Sequence, residues 1–363
     1  MKVLIVHASA GAGHRRAAEA IYSYLKENSP ALDLVLLDSL DKTNALFKFD
    51  YTAGYSFLIN YSATLWHWAF WATDSKFLRP ISRTVARIIN YINSQRLIHY
   101  FIKENPEWII STHFLPSELA AYLKKRNKIN SKLITVITDY GVHPFWISPG
   151  TDLYVVASDF TKDRLVMEGV EERRISVLGL PFDPKFLQHF NRQVLCQKMG
   201  IDPHKFTVLL MTGSFGLGPL EEIAESLHTD CQILVVCARN NKLYARLLKR
   251  NLENVKVFGF VSNAEELMAA AQVIITKPGG STITEVLIME LPAIFISAIP
   301  GQETANVKAL AQYGIGASPK SVEEIRKLVL DLKNNPQKIL ELKQKIREIK
   351  KPFACKELAS VIR

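Results

Sequence analysis

The stretch Thr276–Asn306, TKPGGSTITEVLIMELPAIFISAIPGQETAN, constrains the fold more than any other part of the chain. It follows an apolar run, AQVIIT, with the length and content of a buried strand. The chain then turns through Pro278-Gly279-Gly280 and opens a helix at Ser281-Thr282, with Glu285 close behind. The first N–H groups of a helix have no intrahelical partner and sit at its positive end. A strand, a glycine turn and a helix N-terminus in succession therefore make an anion site. A second strand, Leu291–Ile296, runs into Ile299-Pro300-Gly301-Gln302-Glu303. That places an amide and a carboxylate at a strand's C-terminal end, where open α/β sheets take their ligands. The pair suits sugar hydroxyls; the alternative is an ordinary connection with surface polar residues.

The rest of the chain repeats the pattern. Strands read at Lys2–His7, Leu32–Leu37, within Pro106–Pro116 (a strand ending in a polar turn), Leu133–Thr138, Asp152–Ala157 and Ile175–Leu178, with helical segments between them, the first from Arg15 to Lys26. Gly179–Pro184 then reads as a stiff linker with two prolines. A second array follows: Phe206–Met211 turns into Thr212-Gly213-Ser214-Phe215-Gly216, and Val255–Phe258 turns into Gly259-Phe260-Val261. From Val322 the chain reads as charged amphipathic helix until Pro352 breaks it. At 363 residues this is an α/β protein of two Rossmann-like domains: 1–180, 187–350, and a terminal helix at 352–363 expected to cross back onto the first.

Two side chains stand where chemistry is possible. His14 closes a glycine turn after the first strand, and an imidazole takes a proton near neutral pH. A helix-capping surface histidine is the plain alternative. Asp139 follows the fourth strand; it serves either chemistry or a turn. A histidine oriented by a carboxylate makes a base, and either of the two could be the group that accepts the proton.

Tyr51–Thr73 holds no charged residue, yet Trp66, Trp68 and Trp71 are mixed with Asn60 and His67, which suits an interface better than a hydrocarbon core. Downstream, Lys76, Arg79, Arg83 and Arg87 fall at helical spacing opposite a stripe of Ile81, Val85, Ile88 and Ile92. The stripe reads as core packing. The basic face is either solvated or rests on anionic lipid, at about 1 kcal/mol per basic residue. The net charge of +10 asks for an acidic partner; no nucleic-acid motif accompanies it, so an anionic membrane surface or a phosphate-bearing substrate is expected and nucleic acid is not. Cys196, Cys231, Cys237 and Cys355 have neither disulfide-framework nor metal-ligand spacing. No signal peptide or transmembrane span is read, which places the protein on the cytoplasmic face of a membrane as a peripheral protein.

PGGSTITEVL followed by PGQETAN resembles the donor half of glycosyltransferase family 28. GAGHRRAAEAI, THFLPSELA, ITDYGVHPFW and DLYVVAS resemble the acceptor domain of its lipid-glycosylating branch, the monogalactosyldiacylglycerol synthases and processive diacylglycerol glucosyltransferases. The resemblance spans both halves. It implies a GT-B architecture, two Rossmann-like domains facing a central cleft, with an acceptor and membrane-binding domain first and a UDP-sugar-binding domain second. It implies inverting transfer of a hexose, glucose before galactose, from a UDP-sugar to diacylglycerol, forming a glycolipid. Transfer of N-acetylglucosamine to a polyprenyl-linked precursor, a non-catalytic UDP-sugar-binding regulator and an epimerase of similar architecture are the alternatives.

By the same resemblance Pro278, Gly279, Gly280, Ser281 and Thr282 face the diphosphate, as do Gly213, Ser214 and Gly216 from the opposite side. The backbone at Phe260-Val261 clamps uracil, Glu285 holds the ribose, and Gln302 and Glu303 read the hexose, with Asn306 counted in the donor site. His14 and Asp139 are the catalytic pair. Gly13, His143, the three tryptophans and Arg79, Arg83 and Arg87 belong to the acceptor and membrane side. No Asp-x-Asp pair occurs, so no metal or other cofactor is expected; the UDP-sugar is a co-substrate.

Overall fold

The computed structural model describes residues 1–9, 11–51 and 79–362. The chain forms two compact units. One holds Met1–Asp183 with Ile299–Asn306 and Lys351–Arg363; the other holds Pro184–Ala298 with Val307–Lys350. The segment 299–306, read from the sequence as part of the second array, is grouped with the first unit by its contacts.

The first unit is built on a wholly parallel sheet of six strands: β1 (Lys2–His7), β2 (Asp33–Asp38), β3 (Trp108–Ser111), β4 (Lys132–Val136), β5 (Leu153–Val155) and β6 (Ile175–Ser176). Their order is β2-β1-β3-β4-β5-β6. Alternate residues of β1 feed the two faces. Val3 and Ile5 pack with Ala18, Ile21 and Leu25, with Leu358 of the C-terminal helix Ala354–Val361, and with Ile362 just past its end. Leu4 and Val6 pack with Leu97, Phe101, Leu115 and Leu119. Burial on both faces is why the inner strands read as unbroken apolar runs. The order reverses between β1 and β3, and the ligand crevice of such a sheet lies beyond the strand ends at that point.

The second unit has five parallel strands: β7 (Thr207–Met211), β8 (Gln232–Val236), β9 (Val255–Phe258), β10 (Val273–Thr276) and β11 (Ala293–Phe295), in the order β11-β10-β7-β8-β9. Here the reversal falls between β7 and β10, whose ends are in register at Met211 and Thr276. The Thr276 hydroxyl donates to the Met211 carbonyl at 2.5 Å. The glycine loop after β7 and the Pro278-Gly279-Gly280 turn after β10 therefore leave the sheet side by side.

Three local readings change. The first helix is Ala12–Asn28, capped by extended Gly11, so Gly13 and His14 lie in its first turn and not in the preceding loop. The charged C-terminal segment is two helices, Val322–Asn334 and Pro336–Ile349. Pro336 ends the first because it lacks an N–H, and it starts the second because its fixed φ suits a first turn.

The third change concerns the helix Arg79–Asn93. Its apolar stripe is not core: Ile81, Val85, Ile88 and Ile92 are 65%, 49%, 53% and 63% exposed. Its polar face points inward. An Arg83 guanidinium nitrogen donates to the Ile147 carbonyl at 2.5 Å, while Arg87 Nε and Asn90 Nδ2 donate to the two oxygens of Glu118 at 3.2 and 3.1 Å. Charged hydrogen bonds inside the unit fix the rotation of the helix and leave its isoleucines outside. Trp66, Trp68, Trp71 and the side chain of Arg79 lie outside the described residues. Among those described, no helix is long and apolar enough to cross a membrane.

Candidate active site

His14 stands at the reversal point of the first sheet, on the helix that follows β1. Its Nδ1 lies 2.9 Å from the Thr112 carbonyl, just past β3, and 2.7 Å from the Thr138 hydroxyl, just past β4. A carbonyl can only accept, so Nδ1 carries the proton and the lone pair of the neutral ring resides on Nε2. Thr112 ties the arrangement down from its own side, since its hydroxyl donates to the His14 carbonyl at 2.8 Å. The His113 ring meets His14 edge-on with centroids 4.7 Å apart, and buried Trp146 is at 5.9 Å. Enclosure by these rings pushes the His14 pKa down from 6.5 to about 4; the bond to Thr112 resists the shift and the nearby His7 adds to it. His14 is therefore neutral at pH 7.

The expected His14–Asp139 pair does not form. Both residues lie past the end of β4, Asp139 in a bend. Thr138 contacts His14, whereas Asp139 occupies a separate buried site, 6% exposed. There Gln302 Nε2 donates to its Oδ2 at 2.8 Å and Asn306 Nδ2 donates to its Oδ1 at 3.2 Å. Burial raises the Asp139 pKa from 3.8 to about 6, against the lowering effect of both amides and with a further push from the charge of Glu303. Glu303 is itself buried and accepts the N–H of Ile299 at 2.7 Å.

His143 accepts the N–H of Phe145 at 3.3 Å and so caps the short turn Pro144–Trp146. His113 is buried; its Nδ1 accepts from the N–H of Leu115 at 3.1 Å and caps the helix Phe114–Lys125. Thr112, His113, Thr138 and Trp146 belong to the surroundings of His14, and sequence reasoning missed them as site residues. The signal available was position alone: each follows a strand of the first array.

In the second unit the helix Gly280–Ile288 starts from Gly279 with no side-chain cap, so its leading N–H groups are not covered by a capping side chain. Ser281 and Thr282 are half-buried in its first turn, and Glu285 is buried one turn on. Across the reversal, Gly213 has φ +78° with open space where a Cβ would stand. At Gly216, with φ +55°, a Cβ would come within 2.4 Å of the Cys237 carbonyl oxygen. This loop accommodates only glycine there, and Ser214 beside it is half-buried. The Thr212 hydroxyl at its root is buried without a hydrogen-bond partner. The Phe260 ring is 67% exposed and Val261 is half-buried. Among the described residues no group of His, Cys, Asp and Glu is placed to hold a metal ion.

Residues 14–182 match the monogalactosyldiacylglycerol (MGDG) synthase family, and residues 188–358 match the glycosyltransferase family 28 C-terminal domain. The processive diacylglycerol beta-glucosyltransferase of Staphylococcus epidermidis is 29% identical over 373 residues, 99% of this chain and 93% of its own length. The protein of the same name in Staphylococcus aureus is 28% identical over 374 residues, with the same coverage. Among solved structures, Acinetobacter baumannii MurG aligns with a TM-score of 0.66 at 14% identity over 99% of each chain. Anabaena Alr3699/HepE in complex with UDP-glucose aligns with a TM-score of 0.59 at 13% identity, over 100% of this chain and 99% of that one. At such identities the structures show the fold alone, the GT-B architecture.

Proposed function

The chain belongs to glycosyltransferase family 28, with a monogalactosyldiacylglycerol synthase domain in its N-terminal half and the family's C-terminal domain in the other, and from this we propose that it transfers a hexose from a UDP-sugar to diacylglycerol, forming a glycolipid. Glucose is the favoured hexose, because the relatives matched over nearly the whole chain carry the name of glucosyltransferases; galactose is the alternative. N-acetylglucosamine transfer and a regulator without catalysis have less support.

The observation that carries the mechanism is the hydrogen bond from His14 Nδ1 to the Thr112 carbonyl, which leaves the Nε2 lone pair of a neutral imidazole at the reversal point of the first sheet. His14 Nε2 takes the proton of the acceptor hydroxyl as its oxygen bonds to the anomeric carbon and the bond to UDP breaks from the opposite face. The N–H groups at Gly280, Ser281 and Thr282, with those at Gly213 and Ser214, receive the charge that develops on the diphosphate. Pro278 and Gly279 shape that turn, Gly216 lets the facing loop close up, Glu285 binds the ribose, and the Phe260-Val261 backbone holds uracil. A second reading makes Asp139 the base, because its pKa of about 6 suits a proton acceptor near neutral pH. Both of its oxygens are occupied by amides, which favours His14.

The acceptor resides in a bilayer, and the exposed isoleucine face of the Arg79–Asn93 helix is the surface we assign to it. This replaces a docking mode in which Arg83 and Arg87 face lipid, because both are engaged within the unit.

The test is incubation of the protein with UDP-glucose or UDP-galactose and diacylglycerol vesicles. Glycolipid and UDP in equal amounts are expected; neither glycolipid nor UDP release would overturn the reading. His14→Ala should keep UDP-sugar binding and lose about 10²- to 10⁴-fold in turnover. The acid limb of kcat/KM separates the two bases: near pH 4 for His14, near pH 6 for Asp139.

A further inference from the structure

His113 is 1% exposed, and all of its polar groups but one are spent inside the unit. Its N–H donates to the Ser111 hydroxyl at 3.4 Å. Its carbonyl accepts from that hydroxyl at 2.8 Å and from the N–H of Ser117 at 3.3 Å. Nδ1 accepts from the N–H of Leu115 at 3.1 Å and therefore carries a lone pair. Burial holds the ring neutral, with a pKa well below 6.5, and the neighbouring His14 and His7 lower it further. A neutral imidazole has one N–H, and in this tautomer it is on Nε2. Among the described residues that N–H has no hydrogen-bond partner. A donor left unsatisfied in an interior is costly, so its retention calls for a reason.

The two imidazoles at this place are opposite in character. His14 spends its Nδ1–H on the Thr112 carbonyl and keeps a lone pair at Nε2. His113 spends its Nδ1 lone pair on Leu115 and keeps an N–H at Nε2. The rings meet edge-on with centroids 4.7 Å apart. Phe114, Tyr51 and Trp146 surround His113 with centroids at 4.2, 5.9 and 6.4 Å, so its N–H acts in a weakly screened setting.

Diacylglycerol carries the complementary pair: a hydroxyl that gives up its proton and, a few bonds away, an ester carbonyl oxygen that only accepts. Hydrogen bonds of about 3 Å from rings this close reach groups at that separation. We propose that His113 is a binding residue for the acceptor, its Nε2–H donating to an ester carbonyl of diacylglycerol while the adjacent hydroxyl rests on His14 Nε2. The assignment rests on the proposed transfer to diacylglycerol and deepens it, because it makes the ester as well as the hydroxyl a determinant of the acceptor. A dialkylglycerol offers the hydroxyl without the carbonyl.

The two nitrogens of His113 are replaceable one at a time. An asparagine side chain still caps the helix but falls short of the place of Nε2. A glutamine amide nitrogen takes the place of Nε2 and forgoes the cap. The full-length protein and its His113→Asn and His113→Gln variants are assayed with UDP-glucose and two acceptors in micelles, dioctanoylglycerol and the diether dioctylglycerol. The wild type should favour the ester by about 10- to 100-fold in kcat/KM, the range for a donor left without its partner. His113→Gln should keep most of that preference while melting at a lower temperature. His113→Asn should melt close to the wild type and treat the two acceptors nearly alike. A preference unchanged in folded His113→Asn, or absent from the wild type, overturns the assignment and leaves His113 a helix cap. The nitrogen NMR signals of His113 give a readout on the wild type that needs neither variant nor turnover. Nε2 should carry the proton, and its signal should move with dioctanoylglycerol and stay in place with dioctylglycerol. A proton on Nδ1, or an equal response to both lipids, overturns the assignment too. If the ester-specific response is present and no glycolipid forms, the proposed transfer fails and the His113 contact stands.

Discussion

Thr138 and Asp139 are neighbours in sequence with unrelated tasks, and the division follows from the backbone. The sequence marks both as polar residues beyond a strand, and Asp139 attracts attention because carboxylates do chemistry. Which of them reaches His14 depends on the path of the backbone beyond β4, which bends at Asp139. The amide partners of Asp139 come from residues 163 and 167 positions away, beyond the reach of any local pattern. What was legible in Gln302-Glu303 was an amide and a carboxylate on a loop beyond a strand; that they open the helix Gln302–Ala311, and that Gln302 and Asn306 reach Asp139, was not. Asp139 bears a cost for its position. Its pKa is raised from 3.8 to about 6, so the charged form is disfavoured in the folded state; the penalty is complete above pH 6 and absent below about pH 4. At most it is about 3 kcal/mol. Asp139→Asn should therefore be more stable than the wild type at pH 8 by about 1 kcal/mol or more, after allowance for a poorer fit to the two amides. The gap should close as pH falls through 6 and reverse near 4, where only the cost of the poorer fit remains. His14 contributes a slope of the opposite sign, because its lowered pKa makes stability rise between pH 4 and 6.5, but that term is common to both proteins and cancels. Chemical denaturation at a series of pH values measures the difference, and a gap independent of pH would refute the assignment.

At the level of elements, the Arg79–Asn93 helix separates what periodicity reveals from what it hides. The 3.6-residue pattern of Ile81, Val85, Ile88 and Ile92 identifies an amphipathic helix correctly. It is silent on which face meets protein, because an apolar stripe serves a core or a bilayer equally well. The deciding contacts are those of Arg83 with the Ile147 carbonyl and of Arg87 and Asn90 with Glu118. These are tertiary and carry no period. A membrane-seated face predicts a definite mutational asymmetry. Ile88→Glu with Ile92→Glu should lower partitioning onto anionic vesicles by about a hundredfold, at roughly 1.5 kcal/mol or more of lost apolar burial per site, with the thermal transition little changed since both side chains are already exposed. Arg87→Gln should instead lower the thermal transition slightly, through its bond to Glu118, and change vesicle binding little. Vesicle sedimentation and calorimetry on both variants give the comparison; equal loss of vesicle binding in the two would return the basic face to the lipid.

At the level of the molecule, the alternation of strands and glycine turns was legible because each parallel strand is buried on both faces and each ligand loop needs glycine where backbones crowd, as at Gly216. The order of strands was not written in any one segment, yet it decides which loops become neighbours: β1 with β3 in one unit, β7 with β10 in the other. The terminal helix at 352–363 was expected to cross back onto the first domain, and residues 351–363 are grouped with the first unit. Which of its side chains enter the core was not legible. Leu358 and Ile362 are 1% and 2% exposed and share a core with Val3, Ile5, Ile21 and Leu25. The last dozen residues thus seal the face of the sheet that carries the His14 helix. Each of the two side chains contributes about 1.5 to 3 kcal/mol by burial, so their loss removes a large share of a stability that is typically about 5 to 15 kcal/mol. Truncation after Lys351 should therefore lower the melting of the first unit by many degrees while the second unit, whose core of Val208, Leu210, Ile233, Val235 and Ile275 takes nothing from this helix, melts as before. Calorimetry should resolve two transitions in the truncated protein, with UDP raising only the upper one, because the loops at Gly213 and Gly280, proposed to hold the diphosphate, lie in the unit left intact. A single transition shifted as a whole would show instead that the two units unfold as one.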